Sequence, residues 1–179
     1  MAEQAEIDAR PTDPVGRVLY KISRVVAIVG GLLLSGLALL TTISITGRAT
    51  TIGPIPGDFE LIAIGTGICV FCFLPYCQLM RGNVIVDFFM EKAPTRAKTF
   101  MDFIGGGVYL TIGYMLTWRM VYGGFDMYEN NEMSMTIGFP RWTTFPISIL
   151  LMSYLVIVII YTTWRSFRET VAGEYFNEQ

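Results

Sequence analysis

The longest charge-free stretches of this 179-residue sequence constrain its fold more than any other feature. They cover 25–47, 61–80 and 142–164 and contain 23, 20 and 23 residues. A helix rises about 1.5 Å per residue and needs roughly 20 residues to cross the hydrocarbon core of a bilayer. The stretches do not alternate apolar and polar residues as strands of a membrane barrel do, so they predict helices that span a membrane.

A fourth stretch, 103–118, has only 16 uncharged residues. It is long enough to span if Arg119 reaches the outer interface and the helix continues through 121–125. The sequence therefore predicts an all-α integral membrane protein with four transmembrane helices in one domain, the spans lying at about 25–47, 60–80, 102–125 and 142–164.

Amphipathic segments flank two of these spans. Residues 1–13 are expected to be flexible, and Asp13 and Pro14 are suited to the N-cap and first position of a helix. Residues 14–24 then form either an interfacial helix on the cytoplasmic side or simply the first turns of the first span. A second cytoplasmic interfacial helix is predicted at about 84–92, where apolar and charged residues mix.

The basic residues predict the orientation. Ten of the thirteen precede the first span, lie between the second and third, or follow the fourth, and the other three, Arg48, Arg119 and Arg141, fall on the opposite side. Since Lys and Arg favour cytoplasmic loops, both termini are expected in the cytoplasm. Nothing in a net charge of -2 points to nucleic acid as a partner.

Small residues indicate where helices approach closely, because association in lipid depends on packing of backbones. The candidates are Gly31 with Ser35, Ala63 with Gly67, and the run Gly105–Gly107.

The sequence contains no histidine, which excludes the usual haem b anchors and the zinc and iron sites built on histidine. The spacing of Cys69 and Cys72 is that of a redox motif, but both fall about mid-span, where a packing role is expected. Three interpretations remain: a non-catalytic membrane subunit or scaffold without a cofactor, a small membrane thiol/quinone oxidoreductase that uses these two cysteines, and a homo-oligomeric channel.

Two motifs resemble a known family. The segment PGDFELIAIGTGICVFCFLPYCQLMRGNVIVDFF is similar to the second-span region of the small membrane subunit of tripartite ATP-independent periplasmic (TRAP) transporters, and SMTIGFPRWTTFPISILL is similar to the start of that family's last span. Asn83 stands where many members carry His. The matching positions are Glu60, Gln78, Arg81, Gly82, Asn83, Val86, Asp87, Gly138, Pro140, Trp142 and Pro146.

The resemblance implies a bacterial inner-membrane subunit that works with a larger membrane subunit and a periplasmic substrate-binding protein. In such sodium-coupled transporters the large subunit moves organic anions such as carboxylates. The small subunit is expected to be a scaffold surrounded by lipid, and Glu60, Arg81 and Asp87 are expected to anchor helices rather than to react.

Overall fold

The computed structural model describes residues 13–50, 53, 55–80 and 95–172. These ranges form four α-helices and contain no β-strand, which confirms the all-α class. The helices are α1 (Pro14–Ala49), α2 (Asp58–Leu79), α3 (Thr95–Glu129) and α4 (Thr144–Ala172), and a short 3-10 helix (Arg141–Thr143) precedes α4. The interfacial helix predicted at 84–92 lies outside the described residues.

The first helix is continuous from Pro14 to Ala49, so residues 14–24 do not form a separate interfacial helix. Asp13 occupies the N-cap in an extended conformation, although its side chain makes no capping hydrogen bond. No glycine or proline occurs between 17 and 29 to favour a turn. Residues 14–24 are therefore the first turns of α1, which is the second of the two alternatives.

Three of the described helical segments are long and apolar enough to cross a membrane: α1, α2 and the segment Arg141–Arg168, which contains most of α4. The 35-residue α3 has the length, but its glycines, aromatic residues and Arg119 make it less apolar than the others. By composition three spans are supported, and the fourth remains a prediction.

The helices lie side by side in the order α1, α2, α4, α3, because α1 packs on α2, α2 on α4, and α4 on α3. The first turns of α1 also reach α4, where Leu19 and Tyr20 join the α4 residues Val158 and Tyr161 in a buried cluster. We name the two ends of this row by their residues. The Asp58 end contains Arg48, Asp58, Glu129 and Trp142, and the Pro14 end contains Pro14, Leu79 and Arg168.

Glycines set the closest approach between α1 and α2. A Cβ added at Gly30 would lie 2.7 Å from the Cβ of Cys72, and one added at Gly65 would lie 2.6 Å from Cδ1 of Leu37. Real Cβ atoms do not approach so closely, so a side chain at position 30 would force the two helices apart, whereas one at position 65 would require the Leu37 side chain to move.

The predicted contact glycines are partly wrong. An added Cβ at Gly31 or Gly67 would meet no atom of another helix within 4 Å. Within the run Gly105–Gly107 only the central Gly106 contacts α4, where an added Cβ would lie 2.7 Å from Oγ1 of Thr163. A one-residue shift rotates a side chain by about 100° around a helix, so small residues alone do not show which face makes the contact.

A row of helices buries little of its surface. The fully buried apolar side chains are concentrated on α4 and its neighbours, whereas Leu32 on α1 is 70% exposed and Met115 on α3 is 63% exposed. Since contiguous apolar surface of this extent is suited to lipid or to another protein, both edges of the row are available for contact.

Candidate functional site

Three groups of polar side chains join parts of the chain that are distant in sequence, and two of them lie at the Asp58 end. In the first, the carboxylate of Asp58 accepts hydrogen bonds from Ser44 Oγ at 2.5 Å, from the Arg48 guanidinium at 2.6 Å and from the Phe59 backbone N–H at 2.9 Å. Asp58 and Ser44 are buried, whereas the Arg48 side chain is 40% exposed. This Asp58 cluster fixes the last turns of α1 to the first turn of α2.

In the sequence Asp58 is only a carboxylate just before the second predicted span, and its partners on α1 are not apparent. Ser44 and Arg48 are four residues apart and so lie on one face of α1. The short connection from Thr50 to Gly57 forces α2 to run back along α1, which brings that face against Asp58. The four-residue spacing of Ser44 and Arg48 and the short connection before α2 were therefore the sequence features from which this contact could have been predicted.

The second group joins α2 to the loop before α4. The carboxylate of Glu60 accepts a hydrogen bond from the Ser134 hydroxyl and another from the Thr136 backbone N–H at 3.2 Å. The side chain of Ile137 packs directly on Gly57, which has φ +75° and leaves no room for a Cβ. These contacts join the loop to the start of α2 through Glu60.

The remaining motif residues of the last-span region shape this same loop. Gly138 has φ +66°, a conformation that glycine adopts readily. Pro140 pairs with Met133 in an isolated antiparallel bridge. Trp142 lies edge-on to Tyr128 at the end of α3, with the ring centroids 5.3 Å apart. The structure thus brings Glu60, Gly138, Pro140 and Trp142 into one region.

The third group lies toward the Pro14 end. Gln78 is buried and donates a hydrogen bond from Nε2 to Thr162 Oγ1 at 3.0 Å, which ties α2 to α4. Tyr154 on α4 donates to the backbone oxygen of Leu19 at 3.0 Å, and its hydroxyl lies 2.8 Å from that of Ser23. The sequence indicated Gln78 but not Tyr154 or Ser23, since a tyrosine within a span has no distinctive spacing.

Gln78 lies far from the motif residues at the Asp58 end. Along α2 it is about 27 Å from Glu60. The motif positions Arg81, Gly82, Asn83, Val86 and Asp87 lie outside the described residues.

The two cysteines of the possible redox motif are free thiols buried between helices, with Cys69 1% and Cys72 5% exposed. Cys72 packs against Gly30 of α1. This environment gives a quinone or partner protein no access to the sulfur atoms, so the geometry does not favour thiol chemistry.

A cavity of about 440 Å³ lies between α2 and α4 under the loop. Its walls are mainly apolar, with Ile64, Ile68 and Ile147 among them, and Glu60 is its one charged lining residue. A negatively charged wall repels organic anions. Within the described ranges no group of three His, Cys, Asp or Glu side chains could hold a metal ion.

Removing the Glu60 carboxylate is expected to release the loop. Glu60→Ala leaves the Thr136 N–H without its acceptor, so we expect hydrogen exchange at that amide to rise about tenfold, as loss of a hydrogen bond to a charged group predicts. Mass spectrometry of exchange in detergent measures this. Glu129→Ala, a change at an exposed residue of the same end, is the control, and equal exchange in both variants would contradict the role of Glu60.

Comparison with known proteins gives one family. The model described as "Tripartite ATP-independent periplasmic transporters, DctQ component" matches residues 37–169. This range includes the Asp58 cluster, the loop held by Glu60 and all of α2. No curated protein and no solved structure gave a significant match.

Proposed function

Because this chain belongs to the DctQ component family of the tripartite ATP-independent periplasmic transporters, and so is a small membrane component of such a transporter, we propose that it is a non-catalytic scaffold. In this proposal the large membrane subunit moves the substrate in a sodium-coupled step. A periplasmic protein delivers the substrate, an organic acid such as a carboxylate. The small subunit holds the large one in place in the bilayer.

The observation that carries the scaffold role is that polar groups tie neighbouring helices together. Ser44 and Arg48 bind Asp58, Gln78 binds Thr162, and Tyr154 binds the first turns of α1. Side chains that are hydrogen-bonded to one another are not available to bind a transported solute. Their bonds also oppose the sliding of one helix along the next. A carrier that moves needs a neighbour of this rigid kind.

The proposed topology has four spans with both termini in the cytoplasm. α3 contacts α4 from Gly106, beside Thr163, to Gly124, beside Phe145, so the two helices run antiparallel over most of a span. Since α4 is apolar enough to cross the membrane, this pairing supports a crossing by α3 as well. The distribution of basic residues supports a cytoplasmic position for the Pro14 end.

The test is reconstitution with and without this chain. The soluble binding protein is first screened against a panel of carboxylates by thermal shift, and uptake of the carboxylate that stabilises it is measured in proteoliposomes under a sodium gradient. We expect this chain to co-purify with the large subunit, uptake to require both, and this chain alone to show none. Uptake or redox turnover by this chain alone would overturn the proposal.

The topology is tested separately by labelling single cysteines with an impermeant maleimide in spheroplasts. Met135, which is fully exposed in the loop, provides the outer position, and Val15 at the start of α1 provides the cytoplasmic one. Labelling of a cysteine at 135 but not at 15 is expected. The reverse pattern would contradict the orientation and leave the subunit role intact.

A further inference from the structure

Arg119 lies deeper along α3 than the outer interface where the sequence analysis expected it. About ten helical residues, or roughly 15 Å, follow it before α3 ends at Glu129. Gly106 lies beside Thr163 of α4 and Gly124 beside Phe145, which fixes the register of the antiparallel pair. In that register Arg119 is level with Leu150, well inside the apolar part of α4.

The two tryptophans of the last segment indicate which part of it lies within the bilayer core. Trp142 and Trp164 are separated by about 33 Å of helix, which matches the roughly 30 Å of a bilayer core, and tryptophan favours the two interfaces. The level of Arg119 lies about 12 Å below that of Trp142. Moreover, side chains on a helix lean toward its N-terminus, and that direction in α3 is toward the Pro14 end, away from the nearer headgroups.

The guanidinium is exposed and without a partner in the part of the chain that the structure describes. Around it on α3 lie exposed Met115, Trp118 and Tyr122, and the rings of Trp118 and Tyr122 are 5.4 Å apart. The ring of Tyr114, one turn below Trp118, is 6.3 Å from it and is also exposed. Tyrosine and tryptophan at this depth are away from the interfaces that they prefer in lipid.

The exposed face at the opposite edge of the row has a different composition. On α1 it is mainly aliphatic through the same depth, with Val25, Ile28, Val29, Leu32 and Leu39 exposed. The hydroxyl of Ser35 on this face donates a hydrogen bond to the backbone oxygen of Gly31. A mainly aliphatic face without charged or aromatic side chains is suited to lipid, whereas arginine, tyrosine, tryptophan and methionine are enriched where proteins meet.

We propose that the face of α3 formed by Tyr114, Met115, Trp118, Arg119 and Tyr122, here called the Arg119 face, is the docking surface for a membrane-spanning helix of the large subunit. That helix presents a carboxylate to Arg119. The inference rests on the proposed function, since it takes the large subunit as the partner. Charge complementarity selects the occupant, because an arginine at this depth needs an anion and lipid tails offer none.

Photocrosslinking in the intact complex tests the docking face. p-Benzoylphenylalanine replaces Met115 on the Arg119 face or, as the matched control, Leu32 on α1, since both side chains are exposed and apolar. Irradiation in native membranes is expected to join the Met115 variant to the large subunit at least tenfold more efficiently than the Leu32 variant. Equal yields, a higher yield from Leu32, a dimer of this chain, or lipid adducts alone from Met115 would each overturn the docking face.

Substitutions of Arg119 test the ion pair. Arg119→Leu is expected to reduce recovery of the large subunit on affinity purification about tenfold, whereas Arg119→Lys, which keeps the charge, is expected to retain most of it. The yield and helicity of the Arg119→Leu chain purified alone show that it folds. Undiminished recovery with leucine would overturn the role of the charge.

Different results would contradict the proposed function and the docking face. If the unmodified chain does not co-purify with the large subunit, the proposed function fails and the docking face fails with it. If the unmodified complex is recovered but crosslinks form from α1, only the docking face is wrong.

Discussion

Gly30→Ala is expected to destabilise the protein, whereas Gly31→Ala, the same change one residue later, is expected to stabilise it slightly. A methyl group at position 30 would lie 2.7 Å from the Cβ of Cys72, which cannot turn away because it is attached directly to the backbone of α2. The two helices must separate, and overpacking of this kind costs about 1–3 kcal/mol. At position 31 the methyl group meets no other helix, and alanine is the better helix former by up to about 1 kcal/mol.

Thermal unfolding in detergent, followed by tryptophan fluorescence, measures the difference. The midpoint of Gly30→Ala is expected to fall by about 5 °C and that of Gly31→Ala to rise by about 2 °C, on the usual conversion for a chain of this size. Adding Cys72→Gly to Gly30→Ala removes the opposing Cβ and is expected to recover part of the loss. Equal midpoints for the two alanine variants would mean that α1 and α2 do not meet at Gly30.

This pair of glycines also shows how far the sequence determines the packing. The helices themselves were predictable, because charge-free runs near the length of a bilayer crossing leave the backbone few alternatives to helix. Gly31 was expected at a contact, yet Gly30 makes it. The identity of the contact face depends on the order α1, α2, α4, α3, and glycine spacing on single helices does not determine that order.

The candidate site was predictable to a similar extent. Glu60 and Gln78 were recognised because they belong to motifs of a family, and each does join two parts of the chain. Their partners Ser134 and Thr162 are ordinary hydroxyl residues far away in the sequence. Such pairs become visible only when the fold brings them together.

The Asp58 cluster is the polar contact whose loss is expected to have the largest effect on stability. Asp58→Ala leaves a buried hydroxyl at Ser44 and the guanidinium of Arg48 without their shared acceptor. A buried group that loses its hydrogen bond costs about 1–3 kcal/mol. Because Arg48 is 40% exposed and water replaces part of its contact, we expect a total near 2 kcal/mol rather than the larger value of a fully buried ion pair.

Asp58→Asn keeps the shape of the side chain but removes its charge, so the amide oxygen still accepts one hydrogen bond but attracts Arg48 less. The loss of stability in this variant is expected to be about half that in Asp58→Ala. Asp126→Ala, an exposed carboxylate at the same end of the row, is expected to change stability by less than about 0.5 kcal/mol.

A double-mutant cycle with Ser44→Ala decides whether Asp58 acts through its contact with α1. If it does, Ser44→Ala should destabilise the native chain by about 1 kcal/mol yet have little further effect once Asp58 is alanine, because the hydroxyl has then already lost its acceptor. Urea titration in detergent, monitored by tryptophan fluorescence, measures the four stabilities. Additive losses would show that Asp58 stabilises α2 alone, as a carboxylate at a helix N-terminus does, and that α1 and α2 are not joined at that end.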